Sequence, residues 1–177
     1  MAIDIRMFQV EDIPYKVKWI NDPNNNRYLH YDLPLKEDQT FLWFQSLQGR
    51  QDRADYTITW DGDPVGLIGL LNIDNKNKKA EYYICLGEER YKGKGVASAA
   101  TDILIRKSHG EFGLKKIYLF TEVENIRAQK LFERIGFEKE GLLRNDLIYY
   151  GKSIDRFVYG LHVESYIEQR SRCKDEL

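Results

Sequence analysis

A loop with two glycines is the stretch of this sequence best suited to bind a charged ligand. It reads Arg90-Tyr91-Lys92-Gly93-Lys94-Gly95-Val96-Ala97 and lies between a strand-like run and a run with helical spacing. Glycine lets a backbone turn sharply and approach a ligand closely, and the amides at the start of a helix attract anions. We therefore predict that the amides of residues 92–97 bind a diphosphate, with added positive charge from Arg90, Lys92 and Lys94.

The residues around this loop argue against two common nucleotide-binding loops. A dinucleotide fingerprint needs a third glycine, where this chain has Ser98, and an acidic residue about 20 positions on. Glu122 and Glu124 follow the next strand-like run, but they lie further away than that rule expects. A nucleoside-triphosphate loop needs Gly-Lys-Ser/Thr after a four-residue gap, and this is absent.

Two patterns in this chain resemble the acetyl-CoA-binding signature of the GNAT superfamily of N-acetyltransferases. The first is Arg-x-x-Gly-x-Gly at residues 90–95, and the second is Asn-x-x-Ala-x-x-Leu-Phe-x-x-x-Gly-Phe at residues 125–137. A closing segment from Gly136 to Asp155 resembles the subgroup that contains ribosomal-protein-alanine and spermidine acetyltransferases. The resemblance implies acetyl-CoA as co-substrate, no metal, and direct transfer to a primary amine of a small molecule or a protein N-terminus.

The resemblance also implies roles for single residues. Glu81 is the expected catalytic base, although a solvated glutamate or one that only binds the substrate's charge is the alternative. Tyr28 and Tyr31 lie in the loop that lines the acceptor side in the family, and packing residues are the alternative there. The expected cofactor-binding residues are Cys85, Leu86, Arg90, Tyr91, Lys92, Gly93, Lys94, Gly95, Val96, Ala97, Asn125 and Lys130. An amide near Cys85 or Leu86 is expected to meet the oxyanion, and a nucleophilic role for Cys85 is disfavoured because no histidine adjoins it in sequence.

Phe132 departs from the family pattern, because many relatives carry a tyrosine there as general acid. Another tyrosine (Tyr118, Tyr149, Tyr150 or Tyr159), water, or unassisted departure of the thiolate would have to replace it. This departure supports an alternative function as a non-catalytic acetyl-CoA-binding sensor or interaction module. Within the enzyme hypothesis, a polyamine, an amino sugar, an amino acid, an antibiotic and a protein N-terminus all stay open as acceptors.

Composition and charge exclude several other classes. The chain has 177 residues, 42% of them hydrophobic, and a formal net charge of −1, so nothing indicates a nucleic-acid or membrane-surface partner. Its two cysteines do not suggest a disulfide or metal site, and no signal peptide or membrane span is visible. We expect a cytoplasmic protein. The last four residues, Lys174-Asp175-Glu176-Leu177, are interpreted as a chance match to an endoplasmic-reticulum retrieval signal. A homodimer is compatible with the resemblance.

Hydrophobic periodicity predicts the elements that carry these residues. A first strand at residues 3–8 precedes two helices at 12–20 and 36–48, with an Asn-rich turn at residues 21–26 between them. Strands at 56–60, 65–73 and 80–86 follow. Past the loop we predict a helix at 95–109, a central strand at 115–121, a helix from Asn125 to Gly136, and two closing strands at 137–143 and 153–161. This order resembles the GNAT fold, an α/β architecture with a mostly antiparallel mixed sheet of about seven strands, helices on both faces and a splayed strand pair. One domain over residues 1–166 and a polar tail over 167–177 complete the prediction.

Overall fold

The described part of the chain has seven strands and six helices, and the seven strands and four of the helices follow one another in the order that the sequence predicts. The computed structural model describes residues 2–175, with side chains up to residue 172. The strands are β1 (Ile3–Met7), β2 (Ala54–Trp60), β3 (Asp63–Asp74), β4 (Lys79–Leu86), β5 (Lys116–Glu122), β6 (Glu138–Tyr149) and β7 (Lys152–His162). The helices are α1 (Ile13–Asn21), α2 (Pro23–Asn26), α3 (Glu37–Ser46), α4 (Val96–Phe112), α5 (Ile126–Ile135) and α6 (Val163–Asp175). The strands form one mixed sheet in the order β1-β2-β3-β4-β5-β7-β6, which confirms the predicted fold class.

The chain divides into two compact units, and the first contains the residues up to Asn72 together with Tyr83–Leu104. In it β1, β2 and β3 pair antiparallel, and β2 is buried along nearly its whole length. One apolar cluster in the core of this unit has six buried residues, namely Phe8, Ile13, Trp19, Ile20, Leu67 and Cys85. A glycine at position 87 is required here, because a Cβ atom would lie 2.1 Å from the ring of Trp19.

A buried aspartate ties β1, β2 and the start of α1 together in the same unit. Asp12 accepts two hydrogen bonds from the Arg6 guanidinium, at 2.6 and 2.7 Å, and a third from the Thr57 hydroxyl at 2.7 Å. Burial alone would raise the pKa of Asp12, but the hydrogen bonds from Arg6, the Gln9 amide and Thr57 outweigh it and lower that pKa. The carboxylate therefore stays ionised in a place where only 1% of the residue is exposed.

The second unit contains Ile73–Tyr82 and the residues from Ile105 onward. Here β5 pairs antiparallel with β7, β7 pairs with β6, and β4 pairs in parallel with β5 over three residue pairs only. Four aromatic rings pack in its core, with centroid separations of 5.5–6.3 Å: Tyr82, Phe132, Phe137 and Tyr159. Helix α5 ends at Gly136, whose φ of +122° is favourable only for glycine, as the sequence predicted.

Three local predictions differ from the structure. The Asn-rich segment predicted as a turn contains the short helix α2, which begins at Pro23 and is capped by Asp22. Helix α4 continues past the predicted end at residue 109 and through Gly110 to Phe112, and it is followed by Gly113, whose φ of +59° can terminate a helix. Helix α6, from Val163 to Asp175, was not predicted, and it extends into the segment from residue 167 onward that the sequence predicts to be a polar tail.

Three further predictions concern the chain as a whole. Within residues 2–175, no helix is long and apolar enough to cross a membrane. The last two residues of the Lys174–Leu177 motif lie outside the described residues. The prediction of one acetyltransferase domain over residues 1–166 stays a prediction.

Candidate active site

The glycine loop has the backbone geometry that diphosphate binding requires. Gly93 and Gly95 have φ values of +77° and +80°, and a Cβ atom at either position would meet no atom within 4 Å. The helical ladder of α4 begins with a 3.0 Å hydrogen bond from the Ala99 amide to the Gly95 carbonyl. The amides of Val96, Ala97 and Ser98 precede this bond, so they have no acceptor within the helix and can bind an anion.

The residues just before the glycines are held by contacts within the first unit. Residues Glu89–Tyr91 form a 3₁₀ turn, and the Tyr91 ring packs 5.2 Å from the ring of Trp60. The Arg90 guanidinium lies 4.8 Å from the centroid of the Tyr91 ring. The Lys92 amide donates to the Glu89 carbonyl at 3.0 Å, so this N–H, predicted to bind the diphosphate, already has an acceptor.

The Lys92 ammonium is part of a structural clamp, which the sequence analysis did not predict. Its Nζ donates to Oδ1 of Asn25 at 2.9 Å and to Oε2 of Glu89 at 2.7 Å. The Asn25 amide nitrogen donates to the carbonyls of Trp19, at 3.2 Å, and Gly87, at 3.0 Å. One carboxamide therefore joins α1, the segment after β4 and the glycine loop. The only sequence signal for it was the Asn24-Asn25-Asn26 run, which indicated a turn.

The end of β4 carries Cys85 and Leu86, the residues expected beside the thioester. A Cβ atom on Gly66 of β3 would lie 2.6 Å from the Cys85 carbonyl oxygen, so glycine is needed for β3 to pass this close. Cys85 is only 9% exposed, and burial raises the pKa of its thiol to about 11. The thiol is therefore protonated at neutral pH and is a poor nucleophile.

The two predicted acceptor residues lie in different surroundings within the segment from Arg27 to Leu35. Tyr28 is half-buried, and its ring lies 5.1 Å from the guanidinium of Arg27. Tyr31 packs against the apolar cluster of the first unit, and burial raises the pKa of its hydroxyl to about 12. Tyr31 also lies near Lys16, at 5.8 Å from its ring centroid to Nζ.

A group of polar side chains in the first unit includes Lys16, the neighbour of Tyr31, and the sequence analysis missed it. Asp55 accepts from Nε and an Nη of Arg53, both at 2.7 Å, and from the Tyr83 hydroxyl at 2.6 Å. Lys16 is 6% exposed, and its Nζ lies 3.4 Å from the ring centroid of Trp43. A sequence signal for Lys16 existed, because it falls at helical spacing on the apolar face of Ile13, Val17 and Ile20.

Glu81, the predicted base, lies in the second unit at the last paired position between β4 and β5. It is half-buried and stands opposite Tyr118 in the parallel register. Burial and the charge of Glu81 raise the pKa of the Tyr118 hydroxyl, so this phenol keeps its proton at neutral pH. A carboxylate and a phenol, a candidate base and a candidate acid, are thus neighbours where the pairing ends.

The remaining predicted residues of the second unit are on α5. Asn125 caps this helix, because its Oδ1 accepts from the Ala128 amide at 3.2 Å, and Lys130 is exposed. Phe132 is 8% exposed and belongs to the aromatic core. Tyr159 is not available as a replacement acid, since it is fully buried and its hydroxyl contacts Glu133 at 2.9 Å.

The second unit also has a cavity of about 390 Å³ beside the hairpin of β6 and β7. Its lining consists of Glu122, Val123, Glu124, Asn145, Lys152, Ser153, Ile154 and Asp155. Three carboxylates against one ammonium give this cavity a negative balance, which favours a cationic ligand. Within the residues that the structure describes, no cluster of histidine, cysteine and acidic side chains has the arrangement of a metal site.

Comparisons with known proteins agree with this geometry. A family model for the acetyltransferase (GNAT) domain matches residues 3–138, which is more than half of the chain. An uncharacterized N-acetyltransferase, p20, from Bacillus licheniformis is 28% identical over 93% of this chain and 94% of its own length. Spermidine N(1)-acetyltransferase from Escherichia coli K12 is 26% identical, over 85% of this chain and 81% of that protein.

A solved structure has the same fold. Spermidine N-acetyltransferase from Vibrio cholerae, in complex with CoA and spermine, superposes with a TM-score of 0.84 over 93% of this chain and 98% of that chain, at 23% identity. The family match contains the glycine loop together with β4 and β5, the strands that precede and follow it in the chain. The chain therefore belongs to the acetyltransferase (GNAT) domain family and is an N-acetyltransferase that uses acetyl-CoA.

Proposed function

We propose that this chain transfers the acetyl group of acetyl-CoA directly to a primary amine of a small molecule or a protein N-terminus. The observation that carries this proposal is the glycine loop, where two positive φ angles and open space at both Cβ positions precede the first turn of α4. The amides of Gly93 to Ala97 bind the diphosphate, and Arg90 supplies charge beside it. Tyr91 and Lys92 hold the loop in shape, and Lys94, which is exposed, adds a second charge.

The protonated thiol of Cys85, at the end of β4, supports direct transfer of the acetyl group to the amine. An acetyl-enzyme would need a thiolate, and burial keeps Cys85 protonated. Cys85 and Leu86 instead contribute the main chain near the thioester, where an amide hydrogen bond stabilises the tetrahedral oxyanion. Asn125 and Lys130 are proposed to contact the cofactor as well, Asn125 in addition to capping α5.

Glu81 removes the proton from the acceptor in this proposal. A primary amine has a pKa near that of lysine, so it is mostly charged at neutral pH and must lose a proton before it attacks. The register partner of Glu81, Tyr118, is then the best candidate to protonate the departing thiolate, because its hydroxyl is protonated and its ring is only half-buried. Of the four tyrosines considered as replacements, Tyr159 is committed to Glu133.

The acceptor enters this proposal as a cation before it is deprotonated. Tyr28 and Tyr31 offer aromatic surface for it, and the cavity with Glu122, Glu124 and Asp155 has the charge that suits an ammonium group. The spermidine acetyltransferases among the relatives support an amine acceptor. The cytoplasmic location and the homodimer expected from the sequence are part of the proposal.

A non-catalytic role in sensing acetyl-CoA is the second candidate, and Phe132 is the observation that favours it. Phenylalanine cannot donate a proton, and this ring is fixed among Tyr82, Phe137 and Tyr159. The leaving thiolate is a weak base compared with an alkoxide, so loss of the acid need not stop turnover. The sensor candidate predicts that the chain binds acetyl-CoA without transferring the acetyl group, whereas the enzyme candidate predicts both binding and transfer.

A thiol-release assay with acetyl-CoA against a panel of amines distinguishes the two candidates. The panel contains polyamines, amino sugars and their phosphates, amino acids, aminoglycosides and peptides with free N-termini. We expect acetylation of at least one class, with the acetyl-amine identified by mass spectrometry. Binding of acetyl-CoA in calorimetry without acetylation of any member would contradict the enzymatic proposal and favour the sensor.

A further inference from the structure

Lys16 is a buried cation that has no partner for its hydrogen-bond donors. The residue is 6% exposed, yet within residues 2–172 its Nζ forms neither a hydrogen bond nor an ion pair. In the same part of the chain, no side-chain nitrogen or oxygen is both sealed from solvent and unpartnered. Since Nζ of Lys16 is unpartnered, it is not sealed and keeps some exposure to solvent.

Aromatic rings surround this ammonium on three sides. Its Nζ lies 3.4 Å from the centroid of Trp43, 5.8 Å from that of Tyr31 and 5.9 Å from that of Phe8. A cation–π contact satisfies one face of an ammonium group, but the other N–H bonds still need acceptors. N–H bonds that lack acceptors in a largely buried site cost free energy. A ligand that provides an acceptor at this site therefore gains affinity.

The surrounding charges do not neutralise Lys16. The nearby carboxylate of Asp55 is already engaged by the guanidinium of Arg53 and by the Tyr83 hydroxyl. Arg53 also faces Trp43, with its guanidinium carbon 5.4 Å from the ring centroid. Burial raises the pKa of Tyr31, Tyr83 and Cys85, so these groups are neutral at pH 7. Among the residues that the structure describes in the first unit, Lys16 is therefore a buried positive charge without a paired carboxylate.

The position of this charge connects it with the acceptor. Tyr31, one wall of the aromatic enclosure, belongs to the loop proposed to line the acceptor side. Cys85, at the end of β4 that is proposed to meet the thioester carbonyl, lies close enough for the charge of Lys16 to act on its pKa. A ligand group that reaches Lys16 thus lies next to the proposed acetyl end of the cofactor within the same unit.

We propose that Lys16 forms a subsite for an anionic group, a carboxylate or a phosphate, carried by the amine that is acetylated. The identification of this ligand as the acetyl acceptor rests on the proposed function. An anion accepts hydrogen bonds from the free donors of Nζ and compensates its charge, and such charge-assisted bonds are among the strongest in proteins. A polyamine, by contrast, would bring further positive charge towards Lys16 and Arg53.

The protonation of Lys16 gives this subsite a pH dependence. Burial, followed by the charge of Arg53 in the segment before β2, lowers the pKa of Lys16 to about 8, while Asp55 of β2 and Cys85 of β4 act in the opposite direction. Tyr31 and Tyr83 are neutral in this range. Selectivity for anionic acceptors is therefore greatest below pH 8 and declines above it, as Nζ loses its proton.

Matched pairs of acceptors test the subsite. The pairs are glucosamine 6-phosphate with glucosamine, and leucine with isoamylamine, and spermidine is the cationic reference. We expect kcat/KM to be at least about tenfold higher for the anionic member of one pair, since a charge-assisted hydrogen bond contributes that much or more. The pair that shows the difference identifies the anion as phosphate or carboxylate.

Three variants assign this preference to Lys16. Lys16→Met keeps the length of the side chain and should abolish the preference, leaving the neutral member within about twofold of its original rate. Lys16→Arg keeps the charge and should retain part of the preference. Lys18→Met changes an exposed lysine of the same helix and should change nothing. An unchanged preference in Lys16→Met, or a wild-type preference for spermidine, would overturn the proposal.

A binding measurement separates failure of the subsite from failure of the enzymatic proposal. Calorimetry with N-acetylglucosamine 6-phosphate and with N-acetylleucine needs no turnover. At least about tenfold weaker binding of one of them to Lys16→Met than to wild type supports the subsite even if no amine is acetylated. Equal affinity of both proteins, or no binding of either ligand to wild type, contradicts it.

Discussion

Cys85 and Glu81 lie four positions apart on β4 and differ in what their surroundings allow. Cys85 is enclosed by apolar side chains, which raises the pKa of its thiol to about 11 and leaves it unreactive. Glu81 is half-buried at the end of the pairing with β5, beside a tyrosine that keeps its proton. Acid–base chemistry at Glu81 is therefore compatible with these surroundings, and covalent chemistry at Cys85 is not.

Replacing Glu81 by glutamine should slow acetyl transfer without weakening cofactor binding. The amide cannot accept the proton of the acceptor, and general-base catalysis contributes about a hundredfold or more. We expect kcat/KM for the acceptor to fall by about that factor at neutral pH, while calorimetry gives an unchanged affinity for CoA. Glu111→Gln, at an exposed position of α4, is the control, and a rate for Glu81→Gln equal to that of the control would reject Glu81 as the base.

Lys16 should make the stability of the fold depend on pH above neutrality. Its pKa in the folded protein is lowered to about 8 from 10.5, so the unfolded chain binds more protons between these values. The free energy of unfolding should therefore rise with pH across this window, by about 3 kcal/mol from this group. Urea unfolding of wild type and Lys16→Met at pH 7 to 10.5 measures the difference, in which other titrating groups cancel. A constant difference would contradict the lowered pKa.

The elements of this chain follow from local sequence, whereas the contacts between them do not. Gly93, Gly95 and Gly136 were predicted at positions that need glycine, and all three have positive φ. The partner of Lys92 could not be predicted, because Asn25 lies 67 positions away in the chain. The sequence suggested that Lys92 binds phosphate, because it lies in the glycine loop. In the structure its ammonium instead connects this loop with Asn25 of α2.

The clamp between Asn25 and Lys92 predicts non-additive effects on cofactor binding. If Lys92 acts through Asn25, then Asn25→Leu and Lys92→Met each loosen the loop and weaken CoA binding by about tenfold, and the double variant is no worse than either. If Lys92 contacts phosphate directly, the two losses multiply. Calorimetry with CoA on the wild type, the two single variants and the double variant measures these losses. Lys94→Met is the control for the loss of a charge from the loop. Losses of affinity that multiply in the double variant would contradict the clamp.

At the scale of the whole molecule, the family match gives the reaction class, whereas the fold does not specify the acceptor. A TM-score of 0.84 at 23% identity shows a shared architecture, and the side chains that would select an amine are then free to differ. The sequence predicted the cofactor because its loop depends on backbone geometry, which glycine spacing encodes. It did not predict the role of Lys16, because lysine is normally an exposed residue and the packing of Phe8, Tyr31 and Trp43 around it is visible only in the structure.

The most direct test of the account is the affinity for CoA of two glycine variants, measured by calorimetry. Gly95 and Gly113 both have positive φ and open space at the Cβ position, at opposite ends of α4. Valine at either position should cost similar stability, about 1–2 kcal/mol for a left-handed residue. Gly113→Val should bind CoA as wild type does, while Gly95→Val, whose side chain would occupy the diphosphate position, should bind at least about a hundredfold more weakly. Equal affinity of the two variants would contradict the assignment of the diphosphate to this loop.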